Sequence, residues 1–351
     1  MARLKIPFRS VAVEFPAVTG ACVTNAPGDG VFPLNPAGVP RGDVGVYRLG
    51  ILPTNANLQV SWTASSGNVG LTAMRQKGKW RGVVAKGLQP GEFTLTAQFP
   101  DGILGMSDPP HIRAAVLEPK VIPLHVYIAR DENIPAPLVD GNDVISWVKT
   151  VNIIYRQAAM RFALRDEDIK YFTYEQSNNW RDMTTIEMLA DLYSFTNVVT
   201  GLEIYCVRSL PHGVWGNATF IPPDHLIDNE RYGIAIDVSP YNSNPALVLA
   251  HEIGHACGSD DILPYSPVSS STPTKFLLGT QNWTGGDDAV NYLSDGMSYS
   301  NTITTLLMHG ISTSSSWDIP YGNINGVTNS TDQALQQLPV GLRDMNRMPS
   351  H

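Results

Sequence analysis

The run His251-Glu252-Ile253-Gly254-His255-Ala256-Cys257-Gly258-Ser259-Asp260-Asp261 decides how the rest of this 351-residue chain is read. Two histidines four residues apart on a helix lie on one face, about one turn apart, where both imidazoles reach a single metal ion. Asn244 and Pro245 stand just ahead as the N-cap and first helical residue of such a helix. Glu252 lies roughly 100° further round. That places it too far away to join the same ligand set, but close enough to hold a water beside the metal. Gly258 is expected to end the helix in the left-handed conformation. Three residues later Asp261 offers an anionic oxygen, which zinc accepts alongside two nitrogens, and Asp260 is the second candidate.

Working outward from this run, composition bounds the remainder. A chain of this length divides into two or three domains, and 43% hydrophobic residues can fill real cores. The net charge of −8, with no basic stripe, argues against nucleic acid as a partner. No apolar run is long enough to span a membrane. Arg3 and Lys5 give early positive charge, but Pro7, Arg9 and Glu14 interrupt any signal-peptide core. The expectation is therefore a cytoplasmic protein, or one exported by a route that needs no cleaved signal. Cys22, Cys206 and Cys257 are too few for a disulfide scaffold and are read as buried thiols. The sequons at Asn217, Asn282 and Asn329 carry little weight without a signal peptide.

Residues 1–118 read as an all-β sandwich. Short β-rich pieces such as Leu58-Gln59-Val60-Ser61-Trp62, Trp80-Arg81-Gly82-Val83-Val84 and the run 92–99 alternate with turns such as Gln89-Pro90-Gly91 and Pro100-Asp101-Gly102. This spacing is typical of an immunoglobulin-like or transthyretin-like sandwich. The segment shows no cluster of titratable side chains, so its expected role is a folding module or one that docks on a partner protein. Residues 119–351 have a different texture. The run 121–129 (VIPLHVYIA) reads as a strand, and Asn142 or Asp143 caps the helix that follows. Val144, Trp147, Val148, Val151, Ile154, Tyr155 and Ala158 form that helix's core-facing stripe. Further elements are a strand at 160–164, a helix near 184–193 and strands at 202–207 and 233–238. The stretch 262–305 lacks periodic structure and reads as one long loop. Asp287, Asp288 and Asp295 within it lack the ligand spacing of a calcium loop, so a solvated acidic loop is expected and calcium is only the alternative. His111 and His125 are read as structural or surface residues.

The zinc-site run, extended through Gly258 and Asp261, resembles the metzincin metalloproteases, whose pattern is H-E-x-x-H-x-x-G-x-x-H with a Met-turn downstream. Asp261 stands where most members have histidine; snapalysin-type peptidases carry aspartate there. Residues 120–345, in the order strand, long helix, strand, helix, strand, strand, active-site helix, are similar to the N-terminal half of a metzincin catalytic domain. The fold class expected is thus multidomain: an all-β sandwich followed by an α+β metzincin-like domain with a mixed sheet and an active-site helix. Two runs resemble the Met-turn. Leu306-Leu307-Met308-His309-Gly310 is favoured, because the apolar run before Met308 can bury it beneath the metal, and a helix near 332–338 follows. Gly296-Met297-Ser298-Tyr299 is the alternative, with Tyr299 placed to reach the metal.

The resemblance implies a zinc endopeptidase with one zinc per chain, held by His251, His255 and Asp261. Glu252 is the expected general base, and Tyr299 or His309 the donors that steady the oxyanion. The run 213–221 (GVWGNATFI), flanked by His212 and His225, is expected as an edge strand on which an extended peptide pairs. Two other classes share these residues. One is a delivered effector or toxin acting on cell-wall peptides; the other is a binding protein in which zinc is only a staple. The presence of Glu252 argues against the last, because a structural site has no need of a base.

Overall fold

Two four-stranded sheets form the first part of the fold. One has the order β1-β3-β6-β5, from β1 (Ala12–Glu14), β3 (Val44–Leu52), β6 (Trp80–Gly87) and β5 (Val69–Ala73). The other has the order β2-β8-β7-β4, from β2 (Gly38–Pro40), β8 (His111–Leu117), β7 (Gly91–Gln98) and β4 (Ser61–Ala64). Val39, Tyr47, Val83, Ala85, Phe93, Leu95, Ala114 and Val116 come from both sheets and share one buried cluster. The computed structural model describes residues 12–14, 36, 38–52, 59–75, 80–99, 109, 111–130, 138–173, 186–194, 201–211, 214–218, 233–256, 262–264, 276–278 and 281–282.

After only Glu118 and Pro119, the chain enters β9 (Lys120–Arg130), the centre of a six-stranded sheet. Along one edge, the first half of β9 pairs in parallel with β10 (Met160–Ala163) and its second half with β11 (Ile169–Thr173). On the other side the order is β9, β12 (Leu202–Val207), β14 (Ile234–Asp237) and β13 (Gly216–Ala218). All these pairs are parallel except β13 with β14, which is antiparallel.

Both faces of this sheet are covered. Ile122, Leu124, Val126 and Ile128 of β9, with Ile204, Cys206, Ile234 and Ile236, pack against α1 (Gly141–Tyr155) and α3 (Pro245–Ala256). The intervening positions Tyr127, Tyr205, Val207 and Ala235 pack against Leu189, Leu192 and Tyr193 of α2 (Ile186–Tyr193). Burial on both faces explains why these strands read as unbroken hydrophobic runs. The expected stripe on α1 is present: Val144, Val148, Val151, Ile154 and Tyr155 are buried, Ala158 lies buried in the 3₁₀ turn that follows, and Trp147 is partly buried.

Three details depart from the sequence reading. Asp140, and not Asn142 or Asp143, caps α1: its carboxylate accepts from the Asn142 and Asp143 amides, while the Asp143 side chain accepts from the Asp140 amide. Asp140 takes the cap because its carboxylate reaches two free amides of the first turn and Asp143, three residues on, answers it in a capping box. Strand β11 was not expected. The supposed loop 262–305 contains β15 (Ile262–Pro264), β16 (Phe276–Leu278) and β17 (Gln281–Asn282), paired antiparallel in that order. Strands of two or three residues are too short to display a period-two alternation.

Helix α1 fastens the third layer. Its Tyr155 hydroxyl donates to the Ala250 carbonyl at 2.7 Å, across 95 residues of sequence, one position before the first histidine of α3. At the same end, Arg156 pairs with Asp43, linking α1 to the first two sheets. Asn152 makes two hydrogen bonds with the Phe162 backbone, fixing α1 against β10. Tyr155→Phe keeps the ring and removes only the buried hydroxyl bond, so it should lower unfolding free energy by about 1 kcal/mol. Urea denaturation should show an earlier midpoint with an unchanged slope.

Candidate metal centre

Helix α3 starts where the sequence places it. The Asn244 carbonyl accepts from the Leu247 and Val248 amides, and Pro245 begins the first turn, where no amide donor is needed. The segment that feeds the helix is held by a chain of bonds. Asp237 at the end of β14 accepts from the Ser239 amide at 2.6 Å; Asn242 donates to the Asp237 carbonyl at 2.7 Å and accepts from the Asn244 amide at 3.1 Å. Burial raises the Asp237 carboxyl above its ordinary pKa, and the bonds from Ser239 partly oppose that shift. This turn therefore aims α3 back across the sheet.

On α3 the two imidazoles converge. His251 Nε2 and His255 Nε2 are 3.1 Å apart, with ring centroids 4.7 Å apart and planes at 86°. Two nitrogens bound to one tetrahedral zinc at about 2.0–2.1 Å stand roughly 3.3 Å apart, so the pair fits that ion with little movement. The Glu252 carboxylate completes a cluster whose donor atoms all lie within 4.8 Å of one another. His251 and Glu252 are buried and His255 is half-buried, which shields the site from bulk water.

Glu252 also faces the sheet edge. A Cβ atom added to Gly216 of β13 would lie 2.5 Å from Glu252 Cγ and 2.7 Å from Cδ, with Oε1 nearer still. Glycine is what lets the strand lie against this side chain. From the other face of the sheet, Tyr193 of α2 reaches the same strand: its hydroxyl oxygen is 2.9 Å from both the Asn217 carbonyl and Asn217 Oδ1. A phenol has one proton and donates to one of these. With the Asn217 amide turned over, its NH₂ donates back to the phenol oxygen and both contacts are satisfied. Burial, and after it the charge of Glu252, raise the Tyr193 pKa, so it remains a protonated donor. Gly233 makes room for that ring, since a Cβ there would lie 2.8 Å from Tyr193 Cε1.

The structure thus brings together His251, Glu252 and His255. Strand β13 falls within the expected edge strand 213–221 and is the outermost described strand on its side of the sheet. Asp260, Asp261, Met297, Tyr299, Met308 and His309 lie outside the described residues, as do Cys22, Cys257, His212, His225, the acidic trio Asp287, Asp288 and Asp295, and the helix expected near 332–338. Cys206 is a buried free thiol, and His125 lies 3.5 Å from Asp168 in a structural setting. Sequence reasoning missed Tyr193, Asn217 and Asp237 as parts of this site. A glycine within a strand pattern was the available signal for Gly216.

Residues 142–260 match the model of one family, described as Metallo-peptidase family M12B Reprolysin-like. That segment is similar to a reprolysin-like metallopeptidase domain. The match runs from α1 through α3 and supports a metzincin-type peptidase with zinc-dependent chemistry acting on peptides or proteins. No curated protein matches the chain. Among solved structures, the Lin-41 filamin domain is 11% identical with a TM-score of 0.18, over 23% of this chain and 84% of that one. The sialyltransferase from Photobacterium damsela is 16% identical with a TM-score of 0.20. That alignment covers 50% of this chain and 35% of the sialyltransferase. Likenesses at this level define neither fold nor function here. No described helix is long and apolar enough to cross a membrane.

The purified full chain should carry about one zinc by elemental analysis. His251→Ala and His255→Ala should each weaken zinc affinity more than ~10-fold, since even groups behind the ligands contribute that much. Full metal content in either variant would place the ion elsewhere.

Proposed function

We propose that this protein is a zinc-dependent endopeptidase in which His251, His255 and Asp261 hold the metal and Glu252 is the general base. The observation that carries this reading is the 3.1 Å approach of the two imidazole nitrogens beside a buried carboxylate, within the segment that matches a metallopeptidase family. Zinc held there would supply Lewis acidity toward the scissile carbonyl and the attacking water. Glu252 takes the proton from the attacking water and delivers it to the leaving amine. Burial of His251 and Glu252 strengthens the electrostatics of that transfer. The substrate lies extended along the outer edge of β13, paired through main-chain hydrogen bonds. Val214 and Trp215, just before that strand, are 43% and 40% exposed and give an apolar side chain of the peptide a surface to cover. Met308 is the packing floor beneath the metal, with Met297 the alternative, and Tyr299 or His309 donates to the oxyanion.

The division of the chain is part of the same proposal: residues 1–118 form an accessory sandwich and 119–351 the peptidase. Supporting it, strands β2 to β8 share one hydrophobic cluster, and only Glu118 and Pro119 separate β8 from β9. Expressed separately, 119–351 should fold and retain the zinc. An unfolded 119–351 fragment would make the sandwich part of the catalytic core.

Glu252→Gln should keep the zinc and lower turnover of a peptide substrate by roughly 10²–10⁴-fold. Loss of metal in that variant would make Glu252 a ligand. Asp261→Ala should strip most of the zinc while Asp260→Ala is mild, and Asp261→His should regain part of the binding. Metal content across the three variants decides between the two aspartates.

A further inference from the structure

A base works only where its carboxylate is held in place, and the contacts of Glu252 around β13 bear on this. Gly216 meets Glu252 at the root of its side chain as well as at its tip: an added Cβ would lie 2.5 Å from Cγ, where real Cβ contacts under 3.0 Å essentially never occur. A collision at the tip is relieved by a small torsion, whereas one at Cγ requires a different rotamer or a displaced strand. The strand has little freedom to move. It is paired with β14 through Gly216↔Ile236, Asn217↔Ala235 and Ala218↔Ile234, and Asp237 donates its amide to the Trp215 carbonyl at 2.9 Å. On the face away from α3, Tyr193 grips Asn217 by both its carbonyl and its side chain, and Gly233 admits the Tyr193 ring.

Resting on the peptidase reading, we infer that Gly216, clamped through Asn217 by the Tyr193 hydroxyl, is the positioning residue that sets where the Glu252 carboxylate stands over the metal centre. The strand then does two things at once. Among the described residues no strand pairs with its outer edge, which leaves that edge to an extended peptide, and at Gly216 its inner face is bare backbone that confines the base. Neither Gly216 nor Tyr193 touches the reacting atoms; both act through Glu252.

The test uses the full chain with Gly216→Ala. Its crystal structure should show the Glu252 carboxylate displaced while His251 and His255 stay in place, and its zinc content should equal that of the parent. Turnover of a peptide substrate should fall about 100-fold in kcat, the scale of loss that a misplacement of about 1 Å can bring, with KM changing much less. An unmoved Glu252 would overturn the inference. So would a parallel loss of zinc and thermal stability, which marks a merely structural glycine. Should Gly216→Ala fail to fold, Tyr193→Phe adds no volume and removes the clamp: a fall of roughly 10-fold in kcat at constant KM supports the inference, and unchanged turnover overturns it. If the parent protein hydrolyses no peptide, the peptidase reading fails, and the position of Glu252 in the Gly216→Ala crystal structure decides the inference by itself.

Discussion

Burying an imidazole pair and a carboxylate on one helix costs several kcal/mol unless each polar atom finds a partner. That constraint governs the second half of this fold. His251 is 7% and Glu252 6% exposed, so α3 must be packed closely and its polar side chains must converge on one another. The hydrophobic side of the helix supplies the packing: Leu247, Leu249, Ala250 and Ile253 join the cluster built by α1 and the sheet. A zinc ion is the natural partner for the two nitrogens, because it satisfies both at once without adding a buried charge that lacks ligands.

The helix can bear this load because its neighbours are rigid. Tyr155 reaches the Ala250 carbonyl from α1, so His251 follows directly on a fixed point, while His255 stands one turn on in the last turn of the helix. The bonds through Asp237, Asn242 and Asn244 fix its entry. Parallel strands feed both, and strands buried on two faces leave few ways for the layers to slide. The geometry of the candidate metal centre therefore depends on the sheet, which itself contributes no donor atom to the cluster among the described residues.

The two glycines near β13 show the same logic on a smaller scale. Gly216 faces Glu252 and Gly233 faces Tyr193, each at a place where one extra carbon would collide with a neighbouring side chain. Backbone brought so close to a polar group excludes water from that side of it.

How much of this was legible follows from the range of each interaction. Helix α3 and its paired histidines could be read from local spacing, because residues four apart on a helix share a face whatever surrounds them. So could the stripe of α1 and the strands β9, β12 and β14, since burial on one or both faces leaves a local period or an apolar run. The cap at Asp140 and the two- and three-residue strands after α3 fell below that resolution. It takes the folded arrangement to set Gly216 against Glu252, Tyr193 on Asn217 across 24 residues, and Tyr155 on Ala250 across 95. Those contacts depend on strand order and on which face each helix covers. No local pattern encodes either, because both are settled by the packing of elements that are distant in the chain.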